Sequence, residues 1–86
     1  MRVLRNRFFE KAEPELDKLE KQVQSRVIAV IERIRVRPEA HLQKLVGEPA
    51  YKLRVGDYHV IAEIDERLKR ICVLKTGHRR NIYYRF

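Results

Sequence analysis

Between Tyr51 and Ile64 apolar residues recur at every second position around a Gly-Asp pair, a pattern that specifies both a hairpin and its register. Tyr51, Leu53 and Val55 alternate with Lys52 and Arg54, Gly56-Asp57 intervenes, and Tyr58, Val60, Ala62 and Ile64 resume the alternation. A period of two marks a strand with one buried face. Gly-Asp between two such runs signals a tight turn of type II′, with the glycine taking the positive φ. Across that turn Val55 faces Tyr58, Arg54 faces His59, and Lys52 faces Ile61. Tyr51, Leu53, Val55, Tyr58, Val60 and Ala62 then share the buried face, and Lys52, Arg54 and His59 share the other.

The first half of the chain has a different period. Residues 2–5 (Arg-Val-Leu-Arg) read as a short first strand. Phe9, Ala12, Leu16, Leu19 and Val23 follow at helical spacing, with Pro14 tolerated in the first turn, where its missing N–H has no partner. A second helix carries Val23, Val27, Val30, Ile31 and Ile34, and Pro38 ends it near Arg37. Residues 38–49 form a connection. After the hairpin, a polar turn from Asp65 to Lys69 leads to a third strand over Arg70–Lys75, which Thr76-Gly77 interrupts. The expected fold is α+β: one domain over residues 1–86, with an N-terminal helical hairpin packed on a small, twisted, antiparallel-rich sheet. The order is β-α-α-β-β-β, and the tail from His78 offers one short last strand.

Charge points to the class of partner. The net charge is +8 on 86 residues. Beyond Glu66 every charged side chain is a cation: Arg67, Lys69, Arg70, Lys75, Arg79, Arg80 and Arg85. Excess positive charge gathered at one end favours an anionic partner over mere colloidal solubility. Like charges side by side on a sheet destabilise it slightly, and Arg54 opposite His59 with Lys52 on the same face should lower the histidine's pKa. A bound anion supplies the reason for such clustering. Cys72 is the single cysteine, inside the apolar run Ile71–Leu74, and reads as a small buried hydrophobe. His41, His59 and His78 show no metal-ligand spacing, so neither a metal nor a cofactor is expected. No apolar run approaches a membrane span and no secretory leader is recognisable, which predicts a cytoplasmic protein without a membrane partner.

The residue types suit metal-free cleavage of RNA. A 2′-hydroxyl must lose its proton while attacking the adjacent phosphate, charge must be stabilised on phosphorus, and the leaving 5′-oxygen must be protonated. Arginine grips phosphate with a planar fork. Histidine, or a lysine whose pKa is depressed by other cations, can move protons. Tyrosine can stack on a splayed base.

Two stretches resemble the RelE/ParE toxins of type II toxin–antitoxin systems. Lys44-Leu45-Val46-Gly47 followed by Tyr51-Lys52-Leu53-Arg54-Val55-Gly56-Asp57-Tyr58-His59-Val60-Ile61 is similar to the family's central pattern. Val73-Leu74-Lys75-Thr76-Gly77-His78-Arg79-Arg80-Asn81-Ile82-Tyr83 is similar to its Gly-His-Arg-Arg ending. The resemblance implies a ribosome-dependent endoribonuclease, an mRNA interferase that cuts mRNA in the ribosomal A site and is held inactive by a cognate antitoxin. That antitoxin would present an acidic or apolar helix to the basic face or to the groove beside the helices.

Carried over by position, the resemblance implies catalytic roles for Lys52, Arg54, Arg79 and Tyr83, and His59 joins this catalytic set as a candidate proton donor. Arg79 clamps phosphate, with Arg80 as its neighbour and alternative, and Tyr83 positions the base, with Tyr84 beside it. Lys44, Lys75, His78, Arg80 and Arg85 would bind RNA. One position departs: His59 stands where many active members carry arginine. Imidazole can donate a proton there but does not grip phosphate as guanidinium does. Two other functions share the expected fold, a ParE-like inhibitor of DNA gyrase and a weakened toxin that only binds nucleic acid.

Overall fold

The computed structural model describes residues 3–4, 6–8, 12–47 and 49–80. In chain order they form β1 (Asn6–Phe8), α1 (Glu13–Asp17), α2 (Lys21–Ile34), a 3-10 turn (Pro38–Ala40), β2 (Gln43–Lys44), β3 (Tyr51–Val55), β4 (Tyr58–Asp65) and β5 (Arg70–His78). The sheet runs in the order β1-β5-β4-β3-β2. β1 lies parallel to β5, and the remaining neighbours are antiparallel. This is the α+β architecture expected from the sequence. The last strand anticipated in the tail would fall within residues 81–86, outside the described residues.

The first strand lies further along than residues 2–5. Pairing with β5 starts at Asn6, opposite Arg70. Val3 instead bridges Val36, and the Leu4 N–H donates to the Arg35 carbonyl at 2.6 Å. Arg35 returns a bond from Nε to the Leu4 carbonyl at 2.9 Å. Burying Leu4 completely ties this segment to the end of α2 before the sheet begins.

α1 and α2 divide the apolar stripe that the sequence displays as nearly continuous. α1 has Pro14 in its first turn, as expected, and Glu13 and Glu15 there suit the positive end of the helix dipole. It stops after five residues. The Gln24 amide reaches back from α2 to the Leu19 carbonyl at 2.7 Å and the Asp17 carbonyl at 3.3 Å, satisfying acceptors at the break. α2 buries Val27, Ile31 and Ile34 and ends at Ile34. Arg37 then adopts a left-handed conformation, φ 53°, in front of Pro38. No helix among the described residues is long and apolar enough to cross a membrane.

Within the connection 38–49 the chain also makes β2, too short to show a period. The hairpin follows its predicted register: Val55 pairs with Tyr58, Arg54 with His59, and Lys52 with Ile61. Gly56 has φ 59° and Asp57 stays at negative φ, which matches type II′.

β5 corrects the expected break at Thr76-Gly77. The strand continues to His78, with Thr76 opposite Val60, Gly77 opposite His59 and His78 opposite Tyr58. A β-bulge makes this possible. Ala62 pairs with Val73 but Ile61 pairs with Lys75, so Leu74 is the extra residue. Simple alternation would send Lys75 to the core with Ile71 and Val73. The extra residue reverses the phase, placing Lys75 and Gly77 outward and burying Thr76. Cys72 also differs from expectation: it lies opposite Glu63, on the face away from Ile71 and Val73, and is half-buried. Leu4, Val27, Ile31, Leu53, Val55, Val60, Ala62, Ile71 and Val73 form the core between helices and sheet.

Candidate nucleic-acid interface

The side of the sheet turned away from the helices carries two rows of side chains at its β3–β4 hairpin end. Arg54, His59 and Gly77 form the row nearer the turn. Gln43, Lys52, Ile61 and Lys75 form the next. Directly opposed residues have Cβ atoms about 4.5–5.5 Å apart, and diagonal neighbours about 7–8 Å apart. Arg54, Lys52, His59 and Lys75 therefore crowd into one small area. Toward the opposite end the same face turns acidic, with exposed Glu63 and then Asp65, whose carboxylate lies 3.8 Å from Arg70. Between these ends Ile61 is fully buried on the same face, and an anion is favoured only at the hairpin end.

Backbone geometry holds the cations near the turn. The Arg79 N–H donates to the Asp57 carbonyl at 2.9 Å, drawing the chain after β5 against the hairpin loop. Arg54 Nε donates to the Gly56 carbonyl at 3.1 Å. The electrostatic result appears at His59, whose pKa lies below its ordinary 6.5. Partial burial is the largest cause, followed by the positive charges of Lys52, Arg54 and Arg79 and by His78. The direction agrees with the sequence expectation, but its leading cause does not, since desolvation outweighs the opposed cations. At neutral pH the imidazole is uncharged and offers one acceptor nitrogen. It is set up to take a proton more readily than to give one, the reverse of the donor role the sequence suggested.

The other named side chains divide between the two faces. Lys75 joins the cluster through the bulge. Arg79 and Arg80 are exposed just beyond β5. His78 lies on the helix-facing side, edge-on to Tyr58 with ring centroids 5.4 Å apart, and its Nδ1 accepts from the Arg80 N–H at 3.2 Å. His78 and Tyr58, with Thr76, Gly77, Glu15, Lys18 and Leu19, line a groove of about 330 Å³ beside α1. Lys44 also belongs to the helix side, because it pairs with Tyr51, and its Nζ lies 6.0 Å from that ring's centroid. Tyr83 and Arg85 lie outside the described residues.

Two residues near the cluster escape a reading of the sequence. Gln43 comes opposite Lys52 only because β2 forms. Arg26 of α2 brings its guanidinium to the hairpin turn, 3.4 Å from where a Cβ on Gly56 would stand. As one exposed cation on an amphipathic helix, it carries no periodic signal that would have marked it.

Comparison with known proteins agrees with this architecture. The RelBE2 toxin–antitoxin complex of Mycobacterium tuberculosis contains a similar chain, with a TM-score of 0.81 and 23% identity over 94% of this chain and 97% of that one. A chain of the archaeal RelE–RelB complex from Pyrococcus horikoshii gives a TM-score of 0.70 and 26% identity over 95% and 100%. One from the E. coli RelBE complex gives 0.70 and 27% over 84% and 93%. No curated protein matches the sequence. A family model described as the ParE toxin of the type II toxin–antitoxin system parDE matches residues 7–83, nearly the whole chain. The chain therefore belongs to the RelE/ParE superfamily of type II toxins, and within it matches the ParE toxin family.

Proposed function

We propose that this toxin is a ribosome-dependent endoribonuclease that cleaves mRNA by 2′-hydroxyl attack on the adjacent phosphate. The observation that carries the reading is the grouping of Lys52, Arg54, His59, Lys75 and Arg79 at the hairpin end of the sheet face, away from Glu63 and the Asp65–Arg70 pair at its other end. In this mechanism neutral His59 accepts the 2′-hydroxyl proton. Arg54 and Arg79 hold the phosphate and stabilise its added negative charge. Lys52, in the adjoining row of the same face, is placed to protonate the 5′-oxygen as the bond breaks. Tyr83 would stack on the base, while Lys75, Arg80 and Arg85 guide the flanking strand. Lys44 and His78, on the other face, contribute only if RNA wraps around the sheet edge. The partners are A-site mRNA on the ribosome and a cognate antitoxin, and the cytoplasm is the compartment where these meet. No metal or cofactor takes part in the scheme.

The family match favours a second reading, because ParE-type toxins inhibit DNA gyrase without cutting RNA. A toxin that binds RNA but has lost cleavage is a third, since His59 replaces an arginine. A reconstituted translation reaction on a defined mRNA, mapped by primer extension, separates them. Cuts that require ribosomes and fall on the order of 100-fold with Arg79→Ala are expected. Intact mRNA with inhibited gyrase supercoiling would establish the second reading. Intact mRNA with active gyrase and salt-sensitive RNA binding would establish the third.

A further inference from the structure

Gly77 occupies the one place in the cationic rows where a side chain is missing. It lies inside a nine-residue strand, opposite His59, with Lys75 two residues before it and Arg79 two residues after. At about 3.3 Å per residue, Lys75 lies roughly 6–7 Å along the strand from Gly77, on the same face. The outer edge of the cluster thus reads cation, bare backbone, cation, with an imidazole across the ladder.

Gly77 also borders the groove beside α1, yet neither a left-handed φ, a crowded Cβ position nor a bulge calls for glycine there among the described residues. Its φ is outside the left-handed region, unlike those of Gly47 and Gly56. A Cβ built on it would have no described heavy atom within 4 Å. The bulge residue of this strand is Leu74, three positions away. Glycine inside a strand weakens it, and where neither turn nor bulge needs it, it often marks close approach of a ligand to the backbone.

We infer that Gly77 is a positioning residue whose bare backbone forms a notch that seats the sugar–phosphate backbone of single-stranded RNA between Lys75, His59 and Arg79. The inference rests on the RNA-cleaving reading above and adds the point of closest approach. A side chain at residue 77 would lift the strand away from His59 while leaving every charge in place. Small displacements of this kind are costly: about 1 Å of misplacement can reduce a rate on the order of 100-fold.

The test is the size series Gly77→Ala and Gly77→Val in the full chain. Each variant is assayed for ribosome-dependent cleavage, for thermal stability, and for binding of a fluorescein-labelled single-stranded RNA of mixed sequence across a salt series. Cleavage and affinity should fall in the order glycine, alanine, valine, with valine losing on the order of 100-fold in cleavage. The melting temperature should hold or rise, because valine suits an extended strand better than glycine. The slope of log affinity against log salt should not change, because no phosphate contact is removed by charge. Valine cutting and binding like glycine would overturn the notch and leave the nuclease standing. A fall in melting temperature that accounts for the lost activity would also overturn it, by giving Gly77 a structural role. Wild-type protein that neither binds nor cuts RNA would overturn the nuclease reading and the notch together.

Discussion

The two hairpins of the sheet share β4, yet they are built on different terms. The β3–β4 hairpin closes through Gly56-Asp57 and keeps unbroken alternation from Tyr51 to Ala62. The β4–β5 hairpin closes through Glu66–Lys69, with Asp65 Oδ1 accepting from the Arg67 and Leu68 N–H groups at 3.0 and 3.1 Å. It then slips by one residue at Leu74. The first hairpin is a regular ladder that sets a register. The second breaks the ladder and uses the break to move a lysine from the core to the cationic face. A regular pattern builds the scaffold here, and an irregularity completes the site.

The largest expected effect tests that slip. Thr76 is buried and Lys75 faces outward only if Leu74 is the bulge residue. Thr76→Lys should therefore cost about 3–5 kcal/mol in urea unfolding, as an unpaired buried charge does. Lys75→Thr should cost less than about 1 kcal/mol, as outward-facing substitutions do. The opposite ranking would show that the strand runs without a slip.

A smaller effect separates the two turns. Gly56→Val forces a β-branched residue to φ 59° beside the Arg26 guanidinium and should cost about 1–3 kcal/mol. Lys69 already bears a side chain at φ 51° in the second turn. Lys69→Gly should be neutral or stabilise by up to about 1 kcal/mol, since relief of strain is offset by unfolded-chain entropy. Its exposed ion pair with Glu66, 3.9 Å apart, adds little to set against that.

The smallest effect is a pH dependence at the cationic rows. The His59 pKa lies below its ordinary 6.5 in the folded chain, so above that value the ring is neutral in both states and contributes nothing. As pH falls through 6.5 the unfolded chain takes up the proton first, and stability is lost down to the folded pKa. Urea midpoints should drop between pH 7.5 and pH 5, and His59→Gln should reduce that drop. An equal drop in the variant would assign the dependence to other groups.

What was legible in the sequence follows the same division. The register placing Lys52, Arg54 and His59 on one face could be read because alternation and a Gly-Asp turn act within a few residues of chain. The direction of the His59 shift followed from that register, although burial proved its first cause. The places of Lys44 and His78 could not be read in the same way. Lys44 depends on a two-residue strand that pairs with distant Tyr51. His78 depends on a bulge that leaves no periodic trace, so that counting from Ile71 gives the wrong face for every residue after Leu74. The first strand was misplaced for a related reason. Leu4 could be buried equally well under α2 or in the sheet, and its backbone bonds to Arg35 decide between them.

The most direct test of the central claim is the end chemistry of the RNA fragments released in the reconstituted translation reaction. Attack by the 2′-hydroxyl predicts a 2′,3′-cyclic phosphate or its ring-opened product on the upstream fragment and a 5′-hydroxyl on the downstream one. Fragments carrying a 3′-hydroxyl and a 5′-phosphate, or mRNA left whole by folded, antitoxin-free toxin, would contradict it.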